Sequence, residues 1–485
     1  MGPCLFRPGR AAEPDRVNAD ELCFLPAVEL CARYRARDLS PVEVVKAVLA
    51  RIERLQPALN AFVTVTAELA LDQAREAESL YAGREHPAPL LGVPVSIKDL
   101  TPTRGIRTTN GSLLTKDWIP DFDAPVVERL YAAGAVILGK TNTPEYGWKG
   151  DTTNRVVGST HNPWQHGRTA GGSSGGAAAA VAAGLGPLAQ GSDGAGSIRI
   201  PASFCGVFGF KPSFGLIPLP GNVEQVGHVG PLSRSVDDAA LFLDAVAGPD
   251  DRDRFSLNAS GIEFAHAAAA GVAGLRVGWS PDLGYASVDP EVARITERAA
   301  LAFRELGCEV LEARPDFGDP CSVFEIISAT SEAGEWGTKE KLAAVSALLD
   351  PGRLEHINLG WEFSGGELAA AYAARTDFYM RVRSFMREYD LLLTPTLPIT
   401  AFPAGLDHPG RGTARSEGLC WQAFTYPFNM TGQPAASVPC GLASDGLPVG
   451  LQIVGRWRAD STVLAASRAF EEARPWRHLL PSIAE

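Results

Sequence analysis

The chain has 485 residues, of which 45% are hydrophobic and 21% charged, the balance of a globular enzyme with a large core. Acidic residues outnumber basic ones, 56 to 44, for a net charge of −12, which argues against the clustered basic surface that nucleic acid needs. No run approaches the ~18 apolar residues of a membrane span and residues 1–16 lack the apolar core of a secretory signal. The eight cysteines are scattered without C-x-x-C or His spacing, so they read as reduced thiols of a cytoplasmic protein with no metal site.

Residues 1–18 are polar and are expected to be disordered. No repeat or linker interrupts 19–485, so this part reads as one α/β domain with a helical elaboration around 320–425. Ser40-Pro41-Val42-Glu43 has the form of a capping box with proline at the first helical position. Val45, Val48, Leu49, Ile52 and Leu55 follow at helical spacing, and Pro57 is expected to stop the helix. A charged amphipathic helix covers 67–81. Leu90 to Asp99 reads as a strand in which Val93, Val95 and Ile97 share one face and Ser96 and Lys98 the other. Pro94 within it predicts a bulge or a sheet edge. A helix near 124–133 feeds a strand at 135–139, and 141–171 is a long loop, a length that is usually functional.

Ala177 to Leu185 is apolar throughout and predicts a buried helix. Residues 186–190 predict a short strand. Asp237 to Val246 is helical, 250–272 a mobile crossing, and 275–311 a β-α-β unit whose helix is opened by Asp289-Pro290. Residues 320–390 are mostly helical, with a candidate capping box at Ser364 to Glu367. Strands follow at 390–394, 436–438 and 449–454, the last two paired around Asp445-Gly446. A helix at about 460–473 closes the chain.

Two glycine-rich turns flank the alanine-rich helix: Gly171-Gly172-Ser173-Ser174-Gly175-Gly176 and Gly191-Ser192-Asp193-Gly194-Ala195-Gly196-Ser197. Glycine and serine runs are commonly linkers, but a linker does not lead into core on both sides. Glycines let the backbone approach a ligand and aim N–H groups at an anion, and a serine beside such a nest suits a nucleophile facing an oxyanion hole. Both Gly171-x-Ser173-x-Gly175 and Gly172-x-Ser174-x-Gly176 match the nucleophile elbow, yet no strand precedes them as that elbow requires. His161, His166 and His228 are the candidate bases for a Ser-His-Asp arrangement. The alternative base is Lys98, since burial depresses a lysine below its ordinary ~10.4 and makes a neutral amine available.

These turns, with Ser197 lying 24 positions after Ser173, resemble the amidase signature family. The likeness extends over Val95-Ser96-Ile97-Lys98-Asp99-Leu100, Gly139 to Glu145, Phe208 to Pro212, Gly230 to Arg234 and Gly446 to Gln452. It implies the amidase-signature α/β fold, a mixed sheet covered by helices on both faces. It also implies a Ser-Ser-Lys triad. Ser197 is then the nucleophile, Ser173 the bridging serine after a cis peptide bond, and Lys98 the base. The amides of Gly194, Ala195, Gly196 and Ser197 hold the oxyanion, Asp193 and Arg199 pair structurally, and Gly147 and Gln422 contact substrate. No cofactor is implied, and the protein is expected to be a monomer or homodimer. The family often reads Thr/Ile-Gly-Gly-Ser where this chain has Gly194-Ala195-Gly196-Ser197. Ala195 is therefore expected at φ < 0, with the hole intact.

The family includes the glutaminase component of glutamyl-tRNA amidotransferase, which grips the charged ends of glutamine with an Arg and an Asp. His356 and Gln422 stand at those positions here, so glutamine is not the expected substrate. Trp336, Trp361, Phe363, Trp421, Phe424 and Tyr426 lie around these segments, as core or as pocket lining. The motifs are most similar to the branch of aryl acylamidases, the 6-aminohexanoate cyclic-dimer hydrolase and urethanases. The expected partner is thus a small apolar or aromatic amide or carbamate, neither nucleic acid nor membrane. The alternatives are a glutaminase-type amidotransferase component, a Ser-His-Asp esterase and a non-catalytic member of an assembly.

Overall fold

The computed structural model describes residues 18–83, 87–410 and 421–484. The disorder expected for 1–17 thus lies outside the described residues, and Asn18 forms a capping box with Glu21. Thirteen strands occur among the described residues: β1 (Phe62–Val65), β2 (Pro94–Lys98), β3 (Val136–Thr141), β4 (Thr153–Asn154), β5 (Gly158–Ser159), β6 (Leu188–Asp193), β7 (Phe208–Lys211), β8 (His228–Ser233), β9 (Arg276–Trp279), β10 (Glu309–Glu312), β11 (Leu391–Pro395), β12 (Ala435–Leu442) and β13 (Pro448–Gly455). Eleven form one sheet in the order β1-β3-β2-β6-β8-β7-β12-β13-β11-β9-β10, and β4 and β5 pair apart. Parallel pairs (β2 with β3 and β6, β9 with β10 and β11) adjoin antiparallel ones, so the sheet is mixed.

Helices cover both faces. Along β3, Ile137 enters one apolar cluster while Val136 and Leu138 enter another, the period-2 alternation of a strand buried on both sides. Helices Pro125–Ala132, Val236–Val246 and Asp460–Ala473 pack into the first cluster; Pro41–Leu59, Ala67–Gly83 and Gly175–Ala182 pack into the second. Every residue of Gly175–Ala182 is buried. Its glycines permit that depth: a Cβ on Gly176 would stand 2.4 Å from the Asn142 amide nitrogen and 2.5 Å from the Ala61 carbonyl oxygen. No helix of the described residues is long and apolar enough to cross a membrane.

Several expectations shift. Pro57 lies inside Pro41–Leu59, and the helix ends instead at Asn60 in the left-handed region. Pro94 meets the first of its two expected outcomes: it opens β2, which lies between β3 and β6 and not at an edge, and the register shifts as at a bulge between Val95 and Ser96. The crossing at 250–272 contains a short helix, Phe264–Ala268, whose first amides donate to Asp244. Strands β7 and β8 carry little strand signal in the sequence, because Gly209, Gly230 and Pro231 break their apolar patterns.

Two parallel neighbours position the site. Val95 pairs with Leu188 and Ile97 with Gln190, so β2 and β6 finish side by side with Lys98 and Asp193 at their carboxyl ends. Ligands bind there in open α/β sheets. Replacing Gly176 by alanine should cost about 1–3 kcal/mol, read by chemical denaturation. Gly83→Ala, where nothing lies within 4 Å, should stay within about 0.5 kcal/mol.

Candidate active site

Lys98 is fully buried. Its backbone amide donates to Gln190 Oε1 at 3.1 Å, fixing the strand end against β6. Its Nζ lies 2.7 Å from Ser173 Oγ, 2.9 Å from Ser192 Oγ and 3.4 Å from the Ser192 carbonyl. Burial pulls the amine down to about 7, with the Asp193 carboxylate acting in the opposite sense. The adjacent carboxylate does not reach it: Asp99 accepts from the amide and the hydroxyl of Thr109.

Ser173 follows a cis peptide bond after Gly172 and precedes the buried helix. Gly147 lies against it: a Cβ there would be 3.0 Å from Ser173 Oγ, and Gly147 has φ 77°. Only glycine suits both the conformation and the space. Ser174 is fully buried and donates its hydroxyl to the Ser192 carbonyl at 3.1 Å, which turns it away from any substrate.

The second turn is organised by Asp193. Its Oδ1 accepts from the Gly196 amide at 2.7 Å, from Asn429 at 2.8 Å and from Arg199 Nη2 at 2.9 Å. Its Oδ2 accepts from Arg199 Nε at 3.0 Å and the Ile198 amide at 3.2 Å. Burial raises this carboxyl, but Arg199 more than reverses that and holds it well below the usual range. Arg199 also donates to Gln452 Oε1 and the Thr425 carbonyl, and the Thr425 hydroxyl holds the Ala195 carbonyl at 2.6 Å.

Ala195 is absent from the positive-φ residues, whereas Gly196 has φ 128°. The turn thus places its required glycine at 196 and accepts a methyl at 195. One expected donor is corrected. The Gly196 amide is engaged by Asp193, and Gly196 does not line the cavity, whereas Gly194, Ala195 and Ser197 do.

Ser173, Ser197, Gly147 and Gln422 line one cavity of about 900 Å³. His356 also lines it, with Nε2 3.0 Å from Ser328 Oγ. Of the two fates open to the aromatic residues around these segments, packing in the interior is the one found. Trp421 stacks on Phe204, Phe424 and Tyr426 sit in the core, and Trp336 and Trp361 pack in a separate cluster. The aromatic walls are Phe122, Tyr146, Trp148 and Phe324; Tyr146 and Trp148 flank Gly147 in the long 141–171 loop, whereas Phe122 and Phe324 carry no pocket signal in the sequence. Ser192, a further contact of Lys98, is marked in the sequence only by its place in the second glycine-rich turn.

The histidine alternatives do not assemble. His161 and His166 stack on each other at 4.0 Å. His228 is buried with Nδ1 2.8 Å from the Val226 carbonyl, and burial lowers its pKa. None of the three lines the cavity. Among the described residues, no group of three His, Cys, Asp or Glu side chains could hold a metal ion.

The Amidase family model matches residues 43–464. An acylamidase of Rhodococcus erythropolis is 41% identical over 96% of this chain and 99% of its own. The chain belongs to the amidase signature family. Members of that family with solved structures share its fold: a bacterial aryl acylamidase (TM-score 0.86, 33% identity, 93% of this chain and 97% of that one) and a 6-aminohexanoate cyclic dimer hydrolase (TM-score 0.86, 32% identity, 96% and 100%). The corresponding component of the Moorella thermoacetica glutamyl-tRNA(Gln) amidotransferase is 38% identical over 96% of this chain and 99% of its own. This amidase-signature protein is accordingly an amide hydrolase.

Breaking a buried ion pair by removing one partner strands the other charge. Asp193→Asn should therefore cost about 3–5 kcal/mol in urea unfolding. Ser192→Ala, which removes one hydroxyl contact to Lys98, should cost about 1 kcal/mol.

Proposed function

We propose that the protein hydrolyses amides, and also carbamates, whose groups next to the scissile bond are apolar or aromatic, through an acyl-enzyme on Ser197. The observation that carries this reading is the contact of 2.7 Å between a buried, depressed lysine amine and Ser173, at the cavity that Ser197 also lines. A neutral amine has two N–H groups and one lone pair. The two N–H groups suit the Ser192 hydroxyl and carbonyl oxygens, leaving the lone pair for the Ser173 proton. Lys98 takes that proton, Ser173 takes the proton of Ser197, and Ser197 Oγ attacks the carbonyl carbon. Catalytic contacts of this kind close when substrate is in place.

The tetrahedral oxyanion is held by the amides of Gly194, Ala195 and Ser197, the three that Asp193 leaves open. The C–N bond then breaks as the proton returns through Ser173 to the leaving nitrogen, giving a free amine and an ester on Ser197. Water, deprotonated by the same relay, attacks the ester and releases the acid. A carbamate enters identically, because its carbonyl carbon differs from that of an amide only in bearing a further oxygen. The acylamidase and aryl acylamidase names of relatives support the substrate class.

The amidotransferase relatives favour glutamine as the rival substrate. Neither His356 nor Gln422 offers the paired charges that its two ends need. Lys149, the cation lining that side, is bound to Asp407 at 2.6 Å and Asp350 at 3.3 Å. Ammonia release from glutamine is expected below about one hundredth of the rate on an aryl anilide, and comparable rates would overturn the assignment.

With a chromogenic anilide, Ser197→Ala should lower kcat at least about 1,000-fold, the scale on which loss of a nucleophile acts. Lys98 must be neutral to act, so protonation removes activity. For the wild type, kcat/KM should fall about tenfold per pH unit below about 7 and level off above. A Lys98→Ala variant with near-normal rate would transfer the base to another group.

A further inference from the structure

The charged groups lining the cavity are not balanced locally. Both lysine and arginine lining residues are already paired: Lys149 with Asp350 and Asp407, and Arg252 with Glu128 at 2.6 Å and Asp250 at 2.8 Å. Of the lining carboxylates, Asp193 is paired with Arg199, Glu332 with Arg353 and Asp407 with Lys149. Helix Cys321–Trp336 turns Phe324, Glu325, Ser328 and Glu332 to the cavity, positions spaced for one helical face. Glu332 is held by Arg353 at 3.2 Å, and that guanidinium lies over the Tyr146 ring.

Glu224 faces the same space from the segment between Pro218 and Val229. Its side chain is partly buried, and its carboxylate has no hydrogen bond or ion pair among the described residues. The nearest arginine does not neutralise it by contact. Arg375 directs Nε to the Met430 carbonyl, Nη1 to the Glu224 carbonyl and Nη2 to the Gln225 carbonyl, at 2.8, 3.0 and 2.6 Å. Those bonds clamp the backbone that carries Glu224 and do not engage its carboxylate. A partly buried carboxylate without a partner carries a desolvation cost, and this one lines the cavity.

We propose that Glu224 anchors a subsite for a protonated amine, so that preferred substrates carry an ammonium group elsewhere than at the scissile bond. This rests on the amide-hydrolase reading above for the word substrate, but the subsite itself is a binding site and can be read without turnover. The apolar stem of such a molecule packs against Phe324 and Val226, which line the cavity beside Glu224. Burial, then Glu332 and Glu335, push the Glu224 carboxyl up to about 8, with Arg375 opposing. A bound cation acts in the same direction as Arg375 and restores the carboxylate. A substrate carboxylate finds no unengaged lysine or arginine among the described lining residues, so the selectivity has a sign.

The test is calorimetric titration of the full chain at pH 8 with n-octylammonium and with n-octanol, which share a stem and differ in charge. Octylammonium should bind at least tenfold tighter, and the preference should fall below threefold in Glu224→Gln and recover in part in Glu224→Asp. In turnover, the ratio of kcat/KM for 8-aminooctanoyl over octanoyl p-nitroanilide should likewise exceed ten and collapse in Glu224→Gln. Equal binding of the two ligands by the wild type overturns the subsite, even where octanoyl anilide is hydrolysed. A charge preference that survives Glu224→Gln also overturns it. Tight, Glu224-dependent octylammonium binding without hydrolysis of either anilide would sustain the subsite and remove the hydrolase reading instead.

Discussion

A lysine amine taken wholly out of water is unfavourable as a cation unless a carboxylate meets it. Lys98 is surrounded by two hydroxyls and a carbonyl. The two carboxylates nearest in sequence and space are held elsewhere: Asp99 on Thr109 and Asp193 on Arg199. Had either turned to Lys98, the ammonium form would be stabilised and the amine would stay charged at neutral pH. The division of partners among these groups favours the neutral amine that the proposed base requires. Their positions follow from the parallel pairing of β2 with β6, which brings the two strand ends together.

The same carboxylate that is withheld from Lys98 shapes the turn opposite it. Asp193 gathers Gly196, Ile198, Arg199 and Asn429 around two oxygens. The amides of Ala195 and Ser197, on either side of Gly196, do not donate to Asp193, and both residues line the cavity. The arrangement also explains which positions of the turn can vary. A Cβ on Gly196 would meet Thr425 at 2.5 Å, whereas one on Gly194 would meet nothing within 4 Å. A departure from the commoner Thr/Ile-Gly-Gly-Ser pattern therefore falls at positions with room, and the glycine that needs φ 128° is kept.

The sequence is most readable where one residue type answers one local demand. The capping boxes at Ser40 and Ser364 form as expected, because side chain and backbone satisfy each other within four residues. The alanine helix, the β-α-β unit of β9 and β10, and the antiparallel pair β12 and β13 also form as their periodicity implies. Lys98, Ser173 and Ser197 are marked by motif; Lys98 meets Ser173, and both serines line one cavity. What stays hidden depends on distant chain segments. Pro57 continues its helix because the last turn can do without one amide hydrogen bond. The aromatic residues Trp421, Phe424 and Tyr426 go to core, while Phe122, Tyr146 and Trp148 come to the cavity from loops. No spacing rule separates those fates, since each is decided by which segment packs above it.

Hydrolysis and selection are thus assigned to different kinds of polar group in one cavity. Around Lys98 the amine is met by the Ser173 and Ser192 hydroxyls and the Ser192 carbonyl, contacts that suit the proposed relay. On the wall carrying Glu224, a carboxylate is held by its backbone and left without a counter-ion. Preorganisation favours a site whose groups do not have to move when charge develops, and that condition applies to Lys98 and the Asp193 turn. Selection among substrates works by difference, through a group that is unsatisfied until the right partner arrives. The clamp of Arg375 on three carbonyls serves this second purpose, since it fixes the carboxylate without neutralising it. An arginine directed at the Glu224 side chain would have stabilised the empty protein more and discriminated between charged and neutral substrates less.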